Sequence, residues 1–175
     1  MSTRLIEPSF EYKNGYIAML DEWIKTEEKM VPFILRYSYS DFDLLLKEME
    51  KLKLGIDLKP NTVSSSSYWF VTDKGEVIGA VNIRHRLNER LKQIGGHIGY
   101  GIRPSQRMKG NATELLRQAL QIAKGMDIKQ VLLTCDKDNI ASAKTIINNG
   151  GLLDSEDIVD DVEIQRYLIN IKNVF

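Results

Sequence analysis

The stretch Ile98–Thr113 constrains this chain more than any other. Residues 98–102 read as a strand, residues 103–109 as a tight loop, and Gly110 to Lys124 as a helix. The helix is plain from its pattern. Ala112, Leu115, Leu116, Ala119, Leu120 and Ala123 recur at helical spacing, Glu114, Arg117, Gln118 and Gln121 fill the other face, and Gly125 closes it. A helix start exposes unpaired backbone N–H groups at the positive end of the helix dipole, which suits an anion. Gly110 has no Cβ to keep a ligand off the backbone, and Arg107 and Lys109 place two cations beside it. A dinucleotide fingerprint does not fit, because Pro104 falls where its third glycine belongs, and no Gly-Lys-Ser/Thr marks a P-loop. An ordinary strand–helix connection with a basic rim is the plain alternative.

At 175 residues the chain is expected to form one domain, 1–175, with a substantial core. Its 43% hydrophobic and 27% charged residues are those of an ordinary globular protein. Formal net charge is zero, which argues against nucleic acid or an anionic membrane as partner. The lone Cys135 cannot close an internal disulfide, and no Cys/His cluster surrounds it to hold a metal. With no apolar leader and no run approaching ~18 apolar residues, the expected location is cytoplasmic.

Taken in order, Thr3 to Phe10 reads as a first strand that Pro8 confines to an edge or a strand end. Tyr12 to Lys25 is an amphipathic helix with Tyr16, Ile17, Leu20, Trp23 and Ile24 inward. Ser40 or Asp41 caps a second helix that buries Phe42, Leu45, Leu46, Met49 and Leu52 and stops at Gly55. Residues 56–67, with Pro60, Asn61 and four serines, read as a long exposed loop. The runs 68–72 and 77–83 make a hairpin around Asp73–Glu76, and 84–94 is polar with one helical turn. Gly99 and Gly101 share one face of the 97–102 strand, the mark of a bulge or of a ligand against the backbone. Val131–Cys135 is a buried strand expected to lie parallel to that one, joined by a right-handed crossover. A helix with Ile140, Ala143, Ile146 and Ile147 inward and a closing hairpin around residues 159–161 complete the chain.

The order Arg107-x-x-Gly110-x-Ala112 after a strand ending at Ile102 resembles the acetyl-CoA signature of the GNAT superfamily of N-acetyltransferases. A second cluster agrees. Asn139-Ile-Ala-Ser142, on a helix ending at Gly150-Gly151, is similar to the family's Asn-x-x-Ser/Ala…Gly-Phe segment. The resemblance implies an α/β (α+β) fold whose mixed, centrally splayed sheet is flanked by helices and opens between the strands ending at Ile102 and Cys135. It implies acetyl-CoA as co-substrate, contacted by Ile102, Arg107, Met108, Lys109, Gly110, Asn111, Ala112, Thr113, Asn139 and Ser142. The diphosphate would sit on the amides of the helix start. Asn139 would touch the pantetheine arm, and backbone groups of residues 100–102 would meet the pantetheine amides and the acetyl carbonyl.

Acetyl transfer requires a neutral amine, yet an alkylammonium titrates near ~10.4. One group must take that proton, and another should serve the departing thiolate. Of the two histidines, His97 on the signature strand is the candidate base or water-holder, with a strand histidine in a satisfied hydrogen bond as the plainer role. His85, between Arg84 and Arg86, reads as a loop residue. The family's acid is a tyrosine seven residues after the asparagine, and Ile146 stands there in this chain. Tyr100 or Tyr167, a water, or no dedicated acid would serve instead, and Tyr100 joins His97 as the catalytic pair considered. The function expected is direct acetyl transfer to a primary amine of a small molecule or peptide. The alternative is a CoA-binding sensor or partner module of the same fold with weak or no catalysis. No motif identifies the acceptor or the oligomeric state, a homodimer included.

Overall fold

The computed structural model describes residues 2–173. Seven strands and five helices follow in the order β1 (Thr3–Ile6), α1 (Lys13–Ile24), α2 (Phe42–Leu54), β2 (Ser65–Thr72), β3 (Val77–Arg84), α3 (Glu89–Gln93), β4 (Ile98–Ile102), α4 (Asn111–Gly125), β5 (Gln130–Asp136), α5 (Ile140–Asn148), β6 (Leu152–Val159) and β7 (Val162–Asn170). The strands form two antiparallel sheets, one ordered β1-β2-β3-β4 and the other β5-β7-β6. No ladder joins β4 to β5, so the sheet divides between them, where the resemblance implied that it would open.

Two apolar layers sandwich the first sheet. On one face Tyr16, Met19, Leu20 and Trp23 of α1 and Phe42, Leu45 and Met49 of α2 pack on Trp69, Val71, Val77 and Ala80. On the other, the inward stripe of α4 packs with Phe70, Ile78, Ile83, Ile98 and Ile102, and the same cluster continues onto Val131, Leu133 and Ile169 of the second sheet. Helix α4 therefore holds the two sheets together. Asp41, rather than Ser40, caps α2, its carboxylate accepting from the Leu44 amide at 3.0 Å.

Several sequence expectations are corrected. Strand β1 stops at Ile6, short of Phe10. The serine run is not an exposed loop: Ser65, Ser66 and Ser67 are buried in β2, where Asn82 across the strand donates to Ser65 and Ser67. Ile24, Ile140 and Ile147 face outward, because Ile24 ends its helix at the surface and α5 buries only the narrow stripe Ala143, Thr145 and Ile146.

Candidate active site

The split between the sheets starts from a single bridge. The amide of His97 donates to Leu132 O at 2.7 Å, and the Leu132 amide donates to His97 Nδ1 at 3.0 Å, so the imidazole replaces a missing backbone acceptor. The approach is close enough to demand glycine next door. A Cβ on Gly96, whose φ is +56°, would lie 2.3 Å from Leu132 O. Beyond the bridge β4 and β5 have no ladder bonds, and a cleft opens along β4.

The chemistry of that cleft wall follows from register. Arg84 N donates to His97 O at 2.8 Å and Arg103 N to Ile78 O at 2.8 Å. In an antiparallel pair this phase turns the C=O of His97, both backbone groups of Gly99 and Gly101, and the N–H of Arg103 toward β3, while the His97 N–H goes to Leu132. The backbone groups of Ile98, Tyr100 and Ile102 point the other way, along an edge with no neighbouring strand. Among the described residues only Ile102 O is answered, by Arg107 Nε at 3.1 Å.

This bare edge runs into the start of α4. Gly110 is the cap residue, left-handed at φ +79°, and it supplies no side-chain acceptor to the amides that follow. A Cβ there would meet nothing within 4 Å. Met108 is also left-handed at φ +59°. Its side chain is almost wholly exposed. The amides of Asn111, Ala112 and Thr113 are those a helix leaves unpaired by construction. The result is an uncapped, uncluttered helix N-terminus, a ready place for an anion.

The side chains expected around it fall into two groups. Lys109 folds back to Ser105 O at 2.8 Å and Asn111 Nδ2 to Gln106 O at 2.9 Å, bracing the loop. Ala112 packs against the core, and Thr113 O accepts from Asn149 Nδ2 at 3.2 Å, which ties α4 to α5. Arg107 is engaged elsewhere. Its guanidinium pairs with Glu28 at 2.7 Å and lies 5.2 Å from the Trp23 ring centroid.

The far side of the cleft is the first turn of α5. Asn139 caps that helix, its Oδ1 accepting from the Ser142 amide at 3.1 Å. Ser142 Oγ meets Tyr100 Oη at 3.1 Å, so a β4 phenol reaches across to the helix after β5. Burial pushes the Tyr100 phenol up to about 12, and the neighbouring Cys135 adds to the rise while the Ser142 bond opposes it. Burial likewise pushes the Cys135 thiol up to about 11. Ile146 is fully buried in the core. His97 sits at the bridge with Nδ1 accepting, which leaves the proton of the neutral ring on Nε2. Burial, then the Arg84 charge, lowers its pKa.

Two features escaped the sequence reading. Gly101 makes room for the chain itself, since a Cβ there would lie 2.2 Å from Val31 O and 2.5 Å from the Trp23 ring. Asn82 and Arg84 continue the same face of β3 toward the bridge. The signal was a pair of polar residues alternating at the end of an otherwise apolar strand, and the serines opposite looked like loop.

A family model described as an acetyltransferase (GNAT) domain matches residues 17–151. No curated protein matches the sequence. Among solved structures, the microcin C7 self-immunity acetyltransferase MccE, in complex with acetyl-CoA and AMP, is similar at 18% identity, with TM-score 0.67 over 96% of this chain and 92% of that one. RimJ of Mycobacterium smegmatis, in complex with CoA-disulfide, is similar at 15% identity, with TM-score 0.72 over 98% of this chain and 83% of that one. The dodecameric spermidine N-acetyltransferase of Vibrio cholerae is similar at 13% identity, with TM-score 0.63 over 98% and 94%.

Proposed function

Because this chain belongs to the acetyltransferase (GNAT) domain family, we propose that it moves the acetyl group of acetyl-CoA directly onto a primary amine of a small molecule or peptide. The observation that carries this reading is the bare β4 edge running into the uncapped start of α4. The residues present fit the co-substrate. Unpaired amides at 111–113 and the open space over Gly110 suit a diphosphate. The outward N–H and C=O groups of Ile98 and Tyr100 suit an amide-bearing arm laid along the strand like an added one. Acetyl-CoA supplies the acyl group as an activated thioester.

The chain's own groups then divide the work. A β4 amide facing the cleft is placed to stabilise charge growing on an acyl oxygen, at no cost in reorganisation. Tyr100 Oη, braced by Ser142, holds a proton on the cleft side. With its pKa near 12 the phenol keeps that proton and stabilises a departing sulfur as a hydrogen-bond donor. Cys135 stays a thiol, since its pKa of about 11 leaves little thiolate, which favours direct transfer over an acyl-cysteine. His97 is braced against Leu132, so in this reading it orients and organises water rather than removing the amine proton through Nδ1.

The buried Ile146, where the family's tyrosine stands, favours a second reading, a CoA-binding module without turnover. One experiment separates the two. Acetyl-CoA is titrated calorimetrically into the wild type and Gly110→Asn, and thiol release is followed with a panel of amines. Asparagine tolerates the left-handed backbone, so the variant should fold yet bind at least tenfold more weakly. Unchanged affinity would remove the site. Tight binding with no release on any amine would leave only the module.

A further inference from the structure

On the α1–α2 side of the first sheet, Ser67, Asn82 and Gly99 lie in one cross-strand row and Ser65, Arg84 and His97 in the next. Asn82 is fully buried. Its Nδ2 donates to Ser65 Oγ at 3.1 Å and Ser67 Oγ at 3.0 Å, while its Oδ1 is buried with no partner among the described residues. An unanswered buried acceptor costs about 1–3 kcal/mol. Arg84 has the complementary deficit. Its Nη1 donates to Gly95 O and Gly96 O, both at 2.9 Å, and Phe33 lies 5.7 Å away, but among the described residues no carboxylate pairs with it. Its Nε and Nη2 make no hydrogen bond among the described residues.

Both residues border Gly99, which pairs with Asn82 across the strands and has the Arg84 guanidinium beside it. The position a Gly99 Cβ would take is 3.5 Å from Pro32 and 3.9 Å from Arg84 Nη2. Gly99 adjoins Tyr100, whose backbone faces the cleft on the strand's other edge. Residues two apart on a strand stand about 7 Å from each other, a gap that one small molecule spans with a hydrogen bond at each end. A half-buried cation without a counter-charge is costly on its own, and an anionic ligand answers it.

Resting on the acetyl-transfer reading above, we propose that the acceptor is a primary amine that also carries an anionic group, a carboxylate or a phosphate. Arg84 holds that anion, and Asn82 Oδ1 receives a hydrogen from the nitrogen end. A polyamine offers no such anion. The burial that lowers the Arg84 pKa to about 10 still leaves it charged at neutral pH.

The test is thiol release by the wild type with matched acceptors: an α-amino acid and its α-amide, 2-aminoethyl phosphate and ethanolamine, and spermidine. The anionic member of a pair should exceed its neutral partner at least tenfold in kcat/KM, and the pair with the larger ratio identifies the anion. Arg84→Gln should raise the KM of the anionic acceptor at least tenfold with the KM of acetyl-CoA within twofold, and Arg84→Lys should restore part of the loss. If Arg84→Gln fails to fold, the wild-type ratios decide alone. Neutral partners or spermidine used equally well or better would overturn the anionic acceptor and leave acetyl transfer standing. No release on any acceptor would overturn both.

Discussion

Tyr100 and His97 were adjacent candidates in the sequence, and the fold gives them different work. They fall on opposite faces of the strand, so the phenol meets Ser142 while the imidazole meets the Leu132 main chain. Neither partner could be read from spacing, because each lies more than thirty residues away on an element whose placement depends on the split. Tyr100→Phe should lower kcat about a hundredfold with the KM of acetyl-CoA little changed. The factor should hold from about pH 7 to pH 10, since a phenol pushed up to about 12 does not titrate there. A factor that collapses with rising pH in that range would mean an ionising acid instead. His97 predicts the opposite kind of behaviour. Its folded pKa is depressed, so the native state binds fewer protons than the unfolded one. The stability it contributes is present above its ordinary value near ~6.5 and is lost as pH falls through the lower folded value. Denaturant melts from pH 7.5 downward should therefore show a fall in stability that His97→Asn reduces. Part of the slope should persist, because burial lowers His85 in the same direction. An identical slope in the variant would mean the bridge does not sense protonation.

At the scale of elements, patterns that need only local information were legible and those set by a neighbour were not. The helix at Asn111–Gly125 shows its stripe, its glycine start and its close in the sequence. The β6–β7 hairpin turns at Asp160 and Asp161, both left-handed, as its polar tip suggested. The serines of β2 misled because a serine run favours loops when its hydroxyls have only water to bond. Here Asn82 answers two of them inside the sheet. Gly101 of β4 misled in the same way, since what it admits is the connection between α1 and α2. That contact yields a contrast between two neighbours on one strand face. Gly101→Ala drives a methyl group into Val31 O and the Trp23 ring and should cost about 2 kcal/mol or more. Gly99→Ala meets Pro32 at an ordinary 3.5 Å and should be nearly neutral. Equal effects in urea melts would show that the connection does not press on β4 as described.

The whole molecule is governed by how its two inner and outer sheet edges are treated. An unpaired edge is a liability that proteins usually cover. The outer edge of β1 is covered, because Gln118 of α4 accepts from the Leu5 amide and donates to Thr3 O, both at 2.9 Å. The edge of β4 lies inside the fold, beside the second sheet, and yet it is left bare past His97. The chain has a simple way to close it, a β4–β5 ladder, and the bridge at Leu132 shows that the strands come close enough to begin one. Holding them apart makes sense only if something else completes the edge. Amide hydrogen exchange reads this directly. Without ligand, Gly99 and Gly101 should be protected by β3, while Ile98, Tyr100 and Ile102 exchange quickly. Saturating acetyl-CoA should slow the second set and leave the first unchanged, and a ligand at a hundred times its Kd should also add about 2.7 kcal/mol of stability. Protection that rises only at the start of α4 would place the diphosphate there and take the rest of the ligand out of the cleft. Uniform protection of β4 before any ligand is added would mean that the edge is already closed.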